Sequence, residues 1–276
     1  MNLTDIATVR TLMESHGVSF QKQFGQNFLI NPALPQRIAA SCEEVDTLIE
    51  IGPGIGTLTR ELAGRARKVV AFEIDRGLIP ILAETLADKP NVEVVEGDFM
   101  KIDPVPYLEG RTGVCANLPY YITTPILMKL LESRLPFAYI TVMMQKEVAQ
   151  RLASRPGEDT YGAVTLSLDY FATIEKLFTV SPGNFLPAPK VESTVVRITP
   201  RSERPTVSDE ALLFSLIRAS FAQRRKTLLN SLSSVGFPKD KLTDALSRVA
   251  ISPSARGENL SLADFISLTD ALKSEN

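Results

Sequence analysis

The chain has 276 residues, 44% of them apolar, and a formal net charge of −2, enough for one or two domains with a sizeable core. No apolar run approaches the ~18–20 residues a membrane helix needs. The single histidine, His16, and two cysteines, Cys42 and Cys115, far apart in sequence, argue against a Cys/His metal site and leave a Ser-His-Asp mechanism one poorly placed base. No metal is expected. A slightly acidic chain is not a general nucleic-acid binder, so any RNA contact must come from a local basic face.

The N-terminal segment carries Asp5 and Glu14 and no long apolar stretch. It reads as neither a secretory signal nor a transit peptide, which points to the cytoplasm. From about residue 47, short β-branched runs alternate with amphipathic segments, the pattern of βαβ units on a parallel sheet. Residues 47–51 (TLIEI) predict a buried first strand, followed by a glycine-rich turn and a helix from Leu58. Residues 68–74 and 92–96 predict the second and third strands, 113–116 and 139–143 the fourth and fifth. Helices are expected at 77–86 and 126–131, and further strands at one sheet edge at 174–180 and 193–198. Residues 200–205 (PRSERP) read as a linker. After it, 209–235 has helical periodicity with Gly236 and Pro238 as stop signals, and amphipathic segments follow at 241–249 and 262–272. The expected organisation is an α/β domain over residues 1–200 and a small helical domain over 201–276.

The turn Gly52-Pro53-Gly54-Ile55-Gly56 lies between a strand and a helix. Glycines there allow a tight turn and close approach to a ligand at the carboxyl end of the sheet. Alone it is a weak signal, with a bare turn as the alternative. Glu73 closes the second strand twenty-one residues after Gly52, where a carboxylate can accept both ribose hydroxyls of an adenosine cofactor. Asp98 follows the third strand and can accept a hydrogen bond from an adenine amino group. NAD fits the glycines and Glu73 equally well. However, the third glycine comes one residue early for the dinucleotide pattern, and with Asp98 the balance moves to S-adenosylmethionine.

Asn117-Leu118-Pro119-Tyr120 follows the fourth strand at the same rim. The exocyclic nitrogen of adenine is a poor nucleophile, because its lone pair is delocalised into the ring. The Asn117 amide oxygen and the Leu118 carbonyl can accept its hydrogens and favour a tetrahedral nitrogen. Pro119 stiffens the turn, and Tyr120 offers a stacking face to a flipped base. Taken without their surroundings, the four residues are also an ordinary Asn-Pro turn beside a core tyrosine.

These segments resemble the ribosomal RNA adenine dimethyltransferase family. The resemblance runs from KQFGQNFL (residues 22–29) through GPGIGTLT, FEID, EGD, NLPYYITTPI, MQKEVAQRL and NFLPAPKVES to ASFAQRRKTL, nearly the whole chain. It implies a Rossmann-like S-adenosylmethionine-dependent methyltransferase domain with a small C-terminal helical domain. It also implies a monomer that dimethylates two adjacent adenosines near the 3′ end of 16S rRNA in the small subunit. Carried over by position, Asn27 and Leu29 cover the cofactor, and Gly52, Gly54, Glu73 and Asp98 form its loop and acids. Asn117 touches cofactor and target, and Leu118, Pro119 and Tyr120 complete the amino-group cradle. Phe185 sandwiches the target adenine against Tyr120, a role the resemblance alone suggests. Tyr121 departs from the family, many of whose members have Asn there, as does Ser181-Pro182-Gly183.

For RNA, the densest basic run is Gln223-Arg224-Arg225-Lys226, just after Arg218. Arg225 and Lys226 follow Arg218 by seven and eight residues and are expected to share a helix face with it, as a local phosphate-binding patch. Lys22 is a second expected anchor. Two alternatives stay open: a large-subunit rRNA adenine methyltransferase of the macrolide-resistance type, and a ribosome-assembly factor in which binding outweighs catalysis.

Overall fold

The computed structural model describes residues 1–19, 26–223 and 225–274. They form two compact units, Met1–Ala149 with Ile174–Pro200 and Gln150–Thr173 with Arg201–Asn276. In chain order the first half gives α1 (Ile6–Ser15), β1 (Phe28–Leu29), α2 (Ala33–Ala40), β2 (Val45–Ile51), α3 (Thr57–Leu62), β3 (Ala66–Glu73), α4 (Ile79–Thr85) and β4 (Val92–Glu96). It continues with β5 (Thr112–Asn117), α5 (Thr123–Glu132), β6 (Phe137–Gln145), α6 (Lys146–Leu152), α7 (Ala163–Phe171), β7 (Ala172–Val180), β8 (Phe185–Leu186) and β9 (Ser193–Pro200). The remainder is helical: α8 (Glu210–Ala222), α9 (Leu228–Leu232), α10 (Lys239–Arg248) and α11 (Leu262–Lys273).

The main sheet has the order β4-β3-β2-β5-β6-β9-β7. β2 to β6 pair in parallel, and β9 runs antiparallel to β6. The central strands are apolar on both faces because helices cover both, as parallel sheets require. Leu48, Ile49, Val70, Val114 and Ile140 are fully enclosed. The five predicted strands and the added edge strands are all present. The order reverses between β2 and β5, so a crevice opens at their carboxyl ends, where doubly wound sheets bind ligands. Cys42 and Cys115 are buried and unbridged.

Two elements that periodicity did not suggest roof this crevice. Asp5 caps α1 by accepting the Thr8 N–H at 2.8 Å, and Val9, Leu12 and Met13 of this helix join Phe28, Ile55 and Leu78 in one apolar cluster. β1 pairs with β8 through Phe28↔Leu186 and Leu29↔Phe185. This small antiparallel ladder holds Phe28 against the glycine turn.

The second unit differs from the sequence expectation in two ways. Residues 150–173, expected in the first domain, pack with the C-terminal helices. Tyr170 and Phe171 of α7 lie against the Phe214 ring of α8, and the Tyr161 hydroxyl donates to the Leu260 carbonyl at 2.8 Å. Burial of these aromatics outweighs proximity in the chain. The second difference is that 209–235 is not one helix. α8 ends at Ala222, and Gln223 leaves helical geometry at φ −139°, ψ 85°. The N–H of Leu228 donates instead to the Ala255 carbonyl at 2.7 Å and that of Leu229 to Pro253 at 3.3 Å, so tertiary acceptors replace the helical ones. Arg218 is exposed on α8, while Arg225 and Lys226 sit, exposed, in the turn before α9. The expected shared helix face does not exist. Arg224 and Lys22 lie outside the described residues.

Candidate active site

The glycine turn leaves β2 at the crevice. Gly52 and Gly54 have φ of +74° and +62°, a left-handed geometry costly for any side chain. At Gly54 a Cβ would also lie 3.0 Å from the Phe28 ring. The turn is welded to β3: the Gly52 N–H donates to the Phe72 carbonyl at 2.9 Å, and the Gly54 N–H to Glu73 Oε2 at 3.2 Å. Glu73 Oε1 accepts the Asp75 N–H at 2.8 Å. The carboxylate is 4% exposed. Burial pushes its pKa up to about 7, against the backbone N–H groups of Asp75, Gly54 and Ile74, which favour the charged form. Gln26 adds a bond from Nε2 to Asp75 at 2.7 Å, fixing the loop after Glu73.

Glu50 also lines this pocket and was not singled out by the sequence. It is 1% exposed, and burial raises its carboxyl to about 8. Among the described residues its Oε2 has no hydrogen-bond partner. An unpaired buried carboxyl oxygen is costly unless a ligand supplies a donor or a cation. The available signal was an acid inside an otherwise apolar strand, TLIEI.

Asn117 ends β5, facing the glycine turn across the crevice. Its Nδ2 donates to the Asn27 carbonyl at 3.3 Å, which aims the amide and leaves Oδ1 as an acceptor. The Leu118 N–H bonds the Met143 carbonyl at 3.2 Å; its own carbonyl takes part in no backbone hydrogen bond among the described residues. The Pro119 carbonyl accepts the Ile122 N–H at 3.2 Å and Thr123 Oγ1 at 3.0 Å, so the turn is closed from behind. The half-buried Tyr120 shares a 2.7 Å hydrogen bond with Ser193 Oγ, and burial raises its phenol above the ordinary value.

The structure thus brings Asn27, Leu29, Gly52, Gly54, Glu73, Asn117, Leu118, Pro119 and Tyr120 around one pocket. Two expected residues lie elsewhere. Asp98 is outside the pocket wall; its Oδ1 accepts the Met100 N–H at 2.9 Å, and Lys101 lies 3.8 Å from Oδ2. Phe185 is 2% exposed and belongs to the core with Leu29, Leu34 and Ile38, so it does not present its ring opposite Tyr120. The β1–β8 ladder explains this, since pairing with Leu29 turns Phe185 inward. Among the described residues, no group of three His, Cys, Asp or Glu is placed to hold a metal ion, and no helix is long and apolar enough to cross a membrane.

The profile of the ribosomal RNA adenine dimethylase family matches residues 17–274. The chain belongs to that family. It is 46% identical over its whole length to ribosomal RNA small subunit methyltransferase A of Streptococcus pneumoniae, of which 99% is covered. A dimethyladenosine transferase from Plasmodium falciparum superposes with a TM-score of 0.73 at 29% identity, over 87% of this chain and 95% of that one. The 23S rRNA methyltransferase ErmE gives 0.68 at 29% identity, over 89% and 99%. The protein is therefore an S-adenosylmethionine-dependent rRNA adenine dimethyltransferase with a Rossmann-like catalytic fold. The methyltransferase's own acceptors fit that cofactor: a buried carboxylate beside a glycine turn suits ribose hydroxyls, and the unpaired Glu50 oxygen suits an ammonium group.

Proposed function

We propose that the enzyme dimethylates N6 of two adjacent adenosines near the 3′ end of 16S rRNA, acting as a cytoplasmic monomer on the assembling small subunit. The observation that carries this reading is the full-length 46% identity to a small-subunit methyltransferase. S-adenosylmethionine, when bound, supplies an electrophilic methyl group. Glu73 accepts the hydroxyls of its ribose, and Glu50 receives the ammonium of its amino-acid end. Asn117 Oδ1 and the Leu118 carbonyl accept the amino hydrogens of the target adenine, so its nitrogen lone pair is freed and aimed along the line of attack. Tyr120, held by Ser193, stacks on the flipped base. Arg218, Arg225 and Lys226 meet phosphates of structured RNA as separate contacts.

The test is transfer of labelled methyl groups to unmethylated small subunits, large subunits and protein-free 16S rRNA. Labelling of two adjacent adenosines in small subunits alone is expected. The likeness to ErmE makes the large subunit the competing substrate, and labelling only there would replace this reading.

A further inference from the structure

Tyr120 and Tyr121 both line the pocket. The Tyr120 hydroxyl is tied to Ser193 at the start of β9. Tyr121 lines the same pocket beside Glu73 and Ile74, and its side chain is 58% exposed. Partial burial, and after it the negative charges of Asp98 and Glu73, raise its phenol pKa above the ordinary value. Lys129 of α5 donates to the carbonyls of Phe99 at 2.5 Å and Ile102 at 2.7 Å, fastening the helix that begins just after Tyr121 to the loop that follows Asp98.

Ile74 is 42% exposed and also lines the pocket. Large hydrophobic side chains this exposed are few among the described residues, and two of them flank one buried carboxylate. A carboxylate that takes ribose hydroxyls, between a flat aromatic and an aliphatic face, is the composition of a nucleoside clamp. We propose that Tyr121 forms the outer wall of the adenosine part of the cofactor site, its ring stacked on the purine with Ile74 on the opposite face. Tyr121 thus sets cofactor affinity, while Tyr120 serves the RNA. The inference rests on the reading of this pocket as the cofactor site.

The chain has six tyrosines and no tryptophan, so its intrinsic fluorescence reports tyrosine alone. Titration with S-adenosylhomocysteine should quench it in the wild type. Tyr121→Phe should bind within about threefold of wild type with less quenching, and Tyr121→Ala should bind about tenfold or more weakly. Glu73→Gln is the control. If Glu73→Gln weakens binding while Tyr121→Ala does not, the pocket reading stands and the role of Tyr121 falls. If neither variant weakens binding, the pocket reading itself fails and this inference with it. If Tyr121→Ala keeps its affinity for S-adenosylhomocysteine and loses affinity for small subunits, the ring faces RNA and the proposal is overturned. Tyr121 is exposed, so circular dichroism should show both variants folded.

Discussion

The Asn117 side-chain amide donates to the Asn27 carbonyl at 3.3 Å, across ninety residues of chain. That bond ties the end of β5 to the segment roofing the cofactor pocket, and it decides which amide atom is left to face a substrate. Because Nδ2 is engaged, Oδ1 is the acceptor available to an adenine amino group.

Asn117→Ala should therefore lower the rate of methyl transfer by about 10²–10³-fold, comparable to removing one preorganised polar group from a transition-state cradle. Binding of unmethylated small subunits should change far less, since the acceptor acts on the developing tetrahedral nitrogen. Single-turnover labelling and filter binding on one preparation measure both. Loss of binding in parallel with loss of rate would make Asn117 a docking residue instead.

Glu73→Ala should weaken S-adenosylhomocysteine binding by about 1–3 kcal/mol, the cost of leaving ribose hydroxyls unpaired. Burial holds the Glu73 carboxyl at about 7, and its ionised form is the stronger acceptor. The affinity advantage of wild type over Glu73→Gln should accordingly grow as pH rises from 6 to 8. Calorimetry at several pH values tests this; a constant difference would mean that Glu73 does not titrate at the site.

Glu50 makes a prediction about the free protein. Burial raises its folded pKa from the ordinary carboxyl value of about 4.5 to about 8, so the native state holds a proton that the unfolded chain releases. The associated stability is fully present below about pH 4.5 and is lost as pH rises through 8. The stability of wild type relative to Glu50→Gln should fall over that window, by an amount on the order of 4 kcal/mol. Urea unfolding of the two cofactor-free proteins between pH 5 and 8.5 reads it directly. A pH-independent difference would place the Glu50 carboxyl in contact with solvent.

Phe185 separates a core role from a stacking role. With the ring buried against Leu29, Phe185→Ala should destabilise the protein by about 3–5 kcal/mol. Phe185→Leu, which keeps most of the apolar volume, should methylate at close to the wild-type rate. A Leu variant that is stable but slow would return Phe185 to the base-stacking role implied by the family resemblance.

Neutralising Arg218, Arg225 and Lys226 together should weaken small-subunit binding and flatten its dependence on salt, because each phosphate contact releases counterions. As separate contacts on α8 and the turn before α9, they should act nearly additively. Affinity for S-adenosylhomocysteine should not move. An unchanged salt slope would remove these residues from the RNA interface.

Much of the sheet was legible in the sequence because parallel strands buried on both faces must be short apolar runs, and TLIEI and YITVM are such runs. The glycine turn, Glu73 and Asn117 were legible for a related reason. They stand at strand ends, and in a doubly wound sheet those ends face one crevice whatever the loops do. The helix break after Ala222 was not legible, since the local pattern is helical and the competing acceptors, the carbonyls of Pro253 and Ala255, are brought there only by the fold. Nor was the inward turn of Phe185, which follows from a ladder with Leu29 formed across more than 150 residues. The sequence by itself determined that the glycine turn, Glu73 and Asn117 stand at strand ends. The tertiary structure decided which groups meet: it left one Glu50 oxygen without a hydrogen bond in the pocket that Glu73 lines, tied Tyr120 to Ser193, and withdrew Phe185 into the core. Local periodicity reports what a segment buries, whereas only long-range hydrogen bonds and packing decide what it is buried against.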